Sequence, residues 1–333
     1  MPDSISLSFA DLLFLSAGAI GLGIYLLVKG GGAVVDGSIY IAKQFGIPPM
    51  VVGFTIVAFG TSLPELLVSV NANLKGFGGI AIGNVVGSNI ANILLILGVT
   101  AVLAPLTVKR SEVTRDIVVM LLATAVLVIA MFTGLITRLQ GGLMLAALIG
   151  YVIYQYVEAQ KNKLPPPEEV DEADFPNMRA CMMALFLGLV GVSLGSEMLV
   201  RGTIVSANAI GVPESVVALT VVAFGTSLPE LATCIVAIRK KELDLVFGNI
   251  VGSNVFNVLS IIGITSLVAP IAVDPHLLGL SLYVMVGTTV AFSVWVLVTQ
   301  HLPRLLGIVM LLGYLSFIGA EYYTTAVQPA VGG

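Results

Sequence analysis

Apolar runs of membrane-spanning length recur through this 333-residue chain, separated mostly by short polar breaks, and nothing else in it restricts the fold so strongly. A bilayer core offers no water to backbone N–H and C=O groups. A run of about 20 apolar residues must therefore satisfy them internally, as a helix, unless it belongs to a closed barrel. The runs here lack the alternation of barrel strands. Ten helical spans are predicted, at 9–43, 49–74, 79–104, 113–133, 137–158, 178–209, 214–239, 244–269, 277–299 and 304–325. The composition agrees: 57% of residues are hydrophobic, 10% are charged and the mean hydropathy is +1.05, more than one soluble core of this length could hide. The fold class is all-α integral membrane protein, with the lipid bilayer as its surroundings. The first and sixth runs are long enough to be tilted or broken, and Gly30-Gly31-Gly32 is the expected place for a break.

Other features exclude more than they assign. The net charge of −4 owes much to five of the 19 acids falling between Glu168 and Asp174, and no nucleic-acid footprint is present. No Lys or Arg precedes Lys29, while Asp3 and Asp11 do, so the first run is expected to stay as a span rather than be cleaved as a signal. Cys181 and Cys234 fall in predicted spans and read as small apolar fillers. His276 and His301 lie near loops and read as interfacial. No nucleophile–base pair and no soluble catalytic domain is visible, which argues against an enzyme. No cofactor and no obligatory protein partner is indicated.

The decapeptide VAFGTSLPEL occurs at Val57–Leu66 and again at Val222–Leu231. GNVVGSNIANI at Gly83–Ile93 returns as GNIVGSNVFNV at Gly248–Val258, again 165 residues later. One offset across both blocks means a duplicated five-span unit. The first repeat is placed at 1–159 with its motif at 57–93, an acidic, Pro-rich linker at 160–177, and the second repeat at 178–333 with its motif at 222–258. Five is odd, so the second copy enters the membrane from the opposite side and the repeats are inverted. With both termini outside, the inner loops collect eleven basic residues, among them Lys43, Lys109, Arg110, Arg239, Lys240 and Lys241, against Lys75 and Arg138 in the outer loops. A multi-pass protein of the cell's inner or plasma membrane is expected.

Each decapeptide sets a carboxylate, Glu65 or Glu230, near the middle of a span, where a charge costs several kcal/mol unless it meets a cation, a partner or water. Pro64 and Pro229 lack the N–H that the carbonyls of Gly60 and Gly225 would receive, so the helix should open there. Broken backbone at membrane depth is tolerated where it lines a cavity. Asn84, Ser88 and Asn92, spaced i, i+4, i+8, form a polar stripe on the third span, repeated by Asn249, Ser253 and Asn257 on the eighth. Carboxylate, amide, hydroxyl and carbonyl oxygens without His or Cys in the blocks suit a hard cation such as Ca²⁺ or Na⁺. Two ionised glutamates would be neutralised by one Ca²⁺ or by two Na⁺.

GTSLPE followed by GNVVGSNIAN, each block present in both halves, closely resembles the α-repeats of the sodium/calcium exchanger family within the calcium/cation antiporter superfamily. The resemblance covers both halves and implies ten helices in two inverted five-helix repeats, and uptake of Na⁺ coupled to movement of Ca²⁺ the other way. It implies Glu65 and Glu230 as central ligands, and backbone carbonyls from Thr61, Thr226, Ala58 and Ala223. It further implies side-chain oxygens from Ser62, Ser227, Ser88 and Ser253, with Asn92 and Asn257 completing the centre. Asn257 departs from members that carry Asp there, which leaves potassium-dependent Na⁺/Ca²⁺ exchange and H⁺/Ca²⁺ exchange as alternatives. Inverted duplication with broken midplane helices favours a carrier over a channel. The long first and sixth spans are the expected moving parts.

The loop charges predict the orientation. In sealed right-side-out vesicles, a cysteine replacing Asp171 in the linker should resist a membrane-impermeant maleimide, and one replacing Lys75 or Arg138 should react. The opposite pattern would invert the topology.

Overall fold

A computed structural model describes residues 9–161, 175–210 and 225–326. Helix α1 (Phe9–Phe45) is followed by α2 (Pro49–Thr61) and α3 (Leu63–Leu74), which form one span bent by 43°. Then come α4 (Gly78–Leu103), α5 (Arg110–Phe132), α6 (Arg138–Lys161) and α7 (Met178–Ala209). Helix α8 (Leu228–Arg239), α9 (Leu243–Val268), α10 (Leu280–Thr299) and α11 (Arg304–Ala326) complete the order. Eight of these helices are long and apolar enough to cross a membrane, nine spans with the bent pair, among the described residues. The predicted seventh span, 214–239, falls partly outside them; its described remainder, α8, has 12 residues. The chain is a multi-pass, helical membrane protein.

The order from centre to rim follows from sequence. The most apolar window of α9 is entirely buried and that of α4 is 83% buried, whereas those of α1 and α11 are 17% buried. The two polar-striped helices thus form the centre, and α1, α7, α10 and α11 face outward. Four two-residue strands join connectors at the bundle ends: β1 (Leu106–Thr107) pairs with β4 (His301–Leu302), and β2 (Leu135–Ile136) with β3 (Ile271–Ala272).

Contacts recur in pairs that exchange the two copies. Leu106 pairs with Leu302 and Ile136 with Ile271; Ile271 lies 165 residues after Leu106, and Leu302 lies 166 after Ile136. The offset of the two motif blocks therefore grows by one residue before β4.

Helix α1 runs unbroken through Gly30-Gly31-Gly32, against the break expected there. The triplet serves packing instead. A Cβ on Gly30 would stand 2.7 Å from the Gly188 carbonyl oxygen, and one on Gly23 would stand 2.7 Å from that of Gly195. Gly188 and Gly195 meet Gly30 and Gly23 in return, each at 2.8 Å. α1 and α7 therefore cross antiparallel with backbones nearly touching, as small residues permit in lipid. The thiols are more than filler: Cys181 Sγ donates to the Gly37 carbonyl at 3.4 Å on this seam, and both cysteines are free and buried.

Gly30→Val should force α1 and α7 apart, because the clashing atoms are backbone, and should cost about 1–3 kcal/mol. Gly18→Ala, where a Cβ meets nothing within 4 Å, is the control. Thermal unfolding in one detergent reads both; equal melting temperatures would contradict the close crossing.

Candidate functional site

The two decapeptides fold alike where both are described. Ser62 (φ −83°, ψ 2°) separates α2 from α3, and Ser227 (φ −89°, ψ 4°) precedes α8 with the same backbone. Both are followed by Leu and Pro in the first helical turn, where a missing N–H leaves that helix intact. The carbonyl that Pro229 strips of its donor, that of Gly225, accepts a hydrogen bond from Ser196 Oγ of α7 at 2.6 Å. The helices reopen at the serines, two residues past the expected glycines. Leu66 N–H then donates to the Ser62 carbonyl, and Leu231 N–H to that of Ser227, each at 3.1 Å.

Glu65 and Glu230 occupy the first turns of α3 and α8, near the positive end of each helix dipole. They are 1% and 2% exposed. Ser62 Oγ donates to Glu230 Oε1 at 3.5 Å, a long contact, and Thr61 also interacts with that carboxylate. Residues of one copy thus reach the carboxylate of the other, and the two glutamates are near enough for their charges to interact. No ion pair to either glutamate is present among the described residues.

Helices α4 and α9 supply the opposite wall. Each contains a turn of π-helix, Ala91–Ile96 in α4 and Asn257–Ile262 in α9, and α2 contains a third at Gly53–Val57. π turns add a residue to the backbone path and are frequent at functional sites. Asn92 lies in the first of these turns and Asn257 opens the second. The turns cross between copies: α3, with Glu65, touches the π turn of α9, and α8, with Glu230, touches that of α4. α9 also passes so near α2 that a Cβ at Gly252 would lie 2.9 Å from Ala58 Cβ, beside Ser253.

Ala58, Thr61, Ser62, Ser88, Asn92, Ser227, Ser253 and Asn257 are all buried, and Thr226 is half-buried. Ala223 lies outside the described residues. Glu65 Oε2, Glu230 Oε2, both polar atoms of Asn92, Ser227 Oγ, Ser253 Oγ and Asn257 Oδ1 are buried without a hydrogen-bond partner among the described residues. Orphaned buried polar atoms are costly and uncommon, so a cluster of seven calls for an explanation. Among the described residues no group of three His, Cys, Asp or Glu side chains gathers. A bound cation would therefore meet two carboxylates and neutral oxygens.

Two stripe members turn out to brace the walls. Asn84 Nδ2 donates to the Glu65 carbonyl at 3.2 Å and to Ser69 Oγ at 3.0 Å. Its counterpart, Asn249 Nδ2, reaches Thr233 Oγ1 at 3.3 Å and Cys234 Sγ at 3.5 Å. The sequence reading missed Asn89 and Asn254, although both stand in the repeated GSN triplets. Asn89 Nδ2 donates to the Asn254 carbonyl at 3.3 Å, and Asn257 Nδ2 to Asn89 Oδ1 at 3.0 Å. Asn89 and Asn254 are equivalent positions of the two copies, so the copies meet at their own mates.

Comparison with known proteins agrees with this arrangement. The family model described as sodium/calcium exchanger protein matches residues 15–157 and again 181–323. The chain is 35% identical over 308 residues to the putative antiporter CaxA of Alkalimonas amylolytica, covering 90% of this chain and 96% of that one. It is 30% identical over 322 residues to the inner membrane protein YrbG of Escherichia coli strain K12, covering 95% and 99%. It is 30% identical over 339 residues to the sodium/calcium exchanger MaX1 of Methanosarcina acetivorans, covering 91% and 97%. Its fold matches that of the sodium-calcium exchanger NCX_Mj, soaked with Na⁺ and Sr²⁺, with a TM-score of 0.79 at 31% identity, covering 92% of this chain and 98% of that one. With both halves matched and relatives aligned nearly end to end, this chain belongs to the sodium/calcium exchanger family, a family of membrane transporters.

Proposed function

We propose that this protein is a secondary active antiporter that exchanges Na⁺ for Ca²⁺ by alternating access. Glu65 and Glu230 are its central ligands, and the oxygens of Thr61, Ser62, Ser88, Asn92, Thr226, Ser227, Ser253 and Asn257, with the Ala58 and Ala223 carbonyls, complete the site. The observation that carries the proposal is the pair of buried carboxylates, one from each copy, set among neutral oxygens with no basic side chain paired to either among the described residues. A site of charge −2 is neutralised by one Ca²⁺ or by two Na⁺, which allows the ions to displace one another. MaX1 and NCX_Mj carry the name sodium/calcium exchanger, and YrbG the name inner membrane protein; both support this reading and a place in the cell's inner or plasma membrane.

Two inverted five-helix repeats, 1–159 and 178–333 joined by the linker 160–177, with both termini outside, are the architecture we propose. The contacts that exchange the copies support it, and so do the two family-model matches. Alternating access draws support from a departure from that symmetry. α1 covers α8: Gly31 packs against Ala232 and Val236, and Asp36 forms an ion pair with Lys240. The equivalent face of α3 is open. Leu67, 165 residues before Ala232, is 69% exposed, and Asn71, before Val236, is exposed, whereas Val236 is 8% exposed. α3 leads to Lys75 and α8 to the basic Arg239–Lys241, so under the charge-assigned orientation the uncovered helix ends outside and the covered one inside. Sliding α1 and α7 across would uncover α8 and cover α3.

Purified protein in vesicles should take up ⁴⁵Ca²⁺ when an outward Na⁺ gradient is imposed, and not under H⁺ or K⁺ gradients of equal size. No response to Na⁺ would end the proposal, and a response to H⁺ alone would replace it with proton exchange. Glu65→Gln and Glu230→Gln should each lower Ca²⁺ affinity by about 100-fold, the scale of losing one buried charged partner. Binding and melting curves are measured together, and a folded variant with wild-type affinity would remove that residue from the site.

A further inference from the structure

Pro64 and Pro229 each strip one carbonyl of its helical donor, but among the described residues only one of the two carbonyls is given a hydroxyl. Gly225 receives Ser196 Oγ at 2.6 Å, from a serine that is 6% exposed in α7. The residue equivalent to Ser196 in α1, 165 positions earlier, is Gly31, which has no side chain to offer Gly60. The same α1–α7 pair is packed over α8 and has left the equivalent face of α3 uncovered.

We propose that Ser196 is a positioning residue, a one-sided latch that holds α7 to the break before α8 and biases the resting protein toward the state in which α8 is covered and α3 is open. This rests on the alternating-access reading above. Moving the helix pair toward α3 displaces Ser196 along α7's line of travel, and a hydrogen bond at 2.6 Å is lost once its atoms part by about 1 Å. The reverse state has no equivalent bond to gain, because position 31 is glycine. A contact made in one state alone shifts the equilibrium between the two by its full net strength, whereas a contact kept in both shifts nothing. The tie also decides where a site-forming backbone segment points. While Gly225's carbonyl is held toward Ser196, the turn through Thr226 and Ser227 that leads to Glu230 is held with it.

The test uses cysteine reactivity at two equivalent positions, Asn71→Cys on the open face and Val236→Cys on the covered one, in a C181A/C234S background. In the otherwise unaltered protein the first should react faster with maleimide than the second. Ser196→Ala should lower that reactivity ratio on the order of fivefold, the scale of one net hydrogen bond, while Ser196→Thr, which keeps the hydroxyl, should preserve it. Gly31→Ser, with Ser196 intact, supplies the missing hydroxyl to the other half and should also lower the ratio. A ratio unchanged or raised in Ser196→Ala, or lowered equally by Ser196→Thr, would overturn the latch. Na⁺-driven Ca²⁺ uptake by the unaltered protein is read separately: uptake without a ratio change overturns the latch alone, and a ratio change without uptake overturns the transport reading alone.

Discussion

Burying Glu65 and Glu230 in an apolar bundle costs several kcal/mol apiece unless something compensates, and around that cost the rest of the molecule is arranged. The compensation does not come from a Lys or Arg ion pair among the described residues. Part of it comes from placement at helix N-termini, where the dipole favours an anion, and part from the Ser62 hydroxyl that donates to Glu230. These two contributions stabilise the carboxylates only in part, and the neighbouring wall of neutral oxygens suits a cation rather than an anion. In the proposed function the remaining charge is met by the transported cation, so the emptiness of the electrostatic account and the activity are the same property.

Two copies are needed to build this wall. Thr61 and Ser62 of the first copy reach Glu230 of the second, and each carboxylate-bearing helix touches the π turn of the other copy's central helix. At the middle, Asn89 and Asn254 meet as equivalents of one another. Neither half carries a complete set of donors alone. A duplicated sequence therefore folds around a shared centre, and the β-ladders at the bundle ends repeat the same exchange.

The departures from symmetry are as informative as the symmetry. α1 packs on α8 while the matching face of α3 is open, and among the described residues only Gly225 of the two proline-stripped carbonyls is held by a side chain. A strictly symmetric pair would favour neither face of the membrane. In the proposed latch, Ser196, the counterpart of Gly31, breaks the tie with a single hydroxyl group.

The sequence by itself determined the helical membrane class, the duplication, and the identities of the carboxylates and their polar neighbours. These follow from local rules: the solvation of backbone in lipid, the missing proline N–H, and a charge at a depth where charge is expensive. The tertiary structure decided what depends on packing between distant segments. It kept α1 continuous through Gly30-Gly31-Gly32, because those glycines allow a backbone crossing rather than a break. It moved the break to Ser62, added π turns for which GFTIV, ANILLI and NVLSII carry no marker, and assigned Asn84 and Asn249 to bracing. The partner of a freed carbonyl, Ser196 for Gly225, lies 29 residues away on another helix. A one-dimensional pattern records which residue types are present at which period; which of them meet is fixed only when two membrane helices choose a common face.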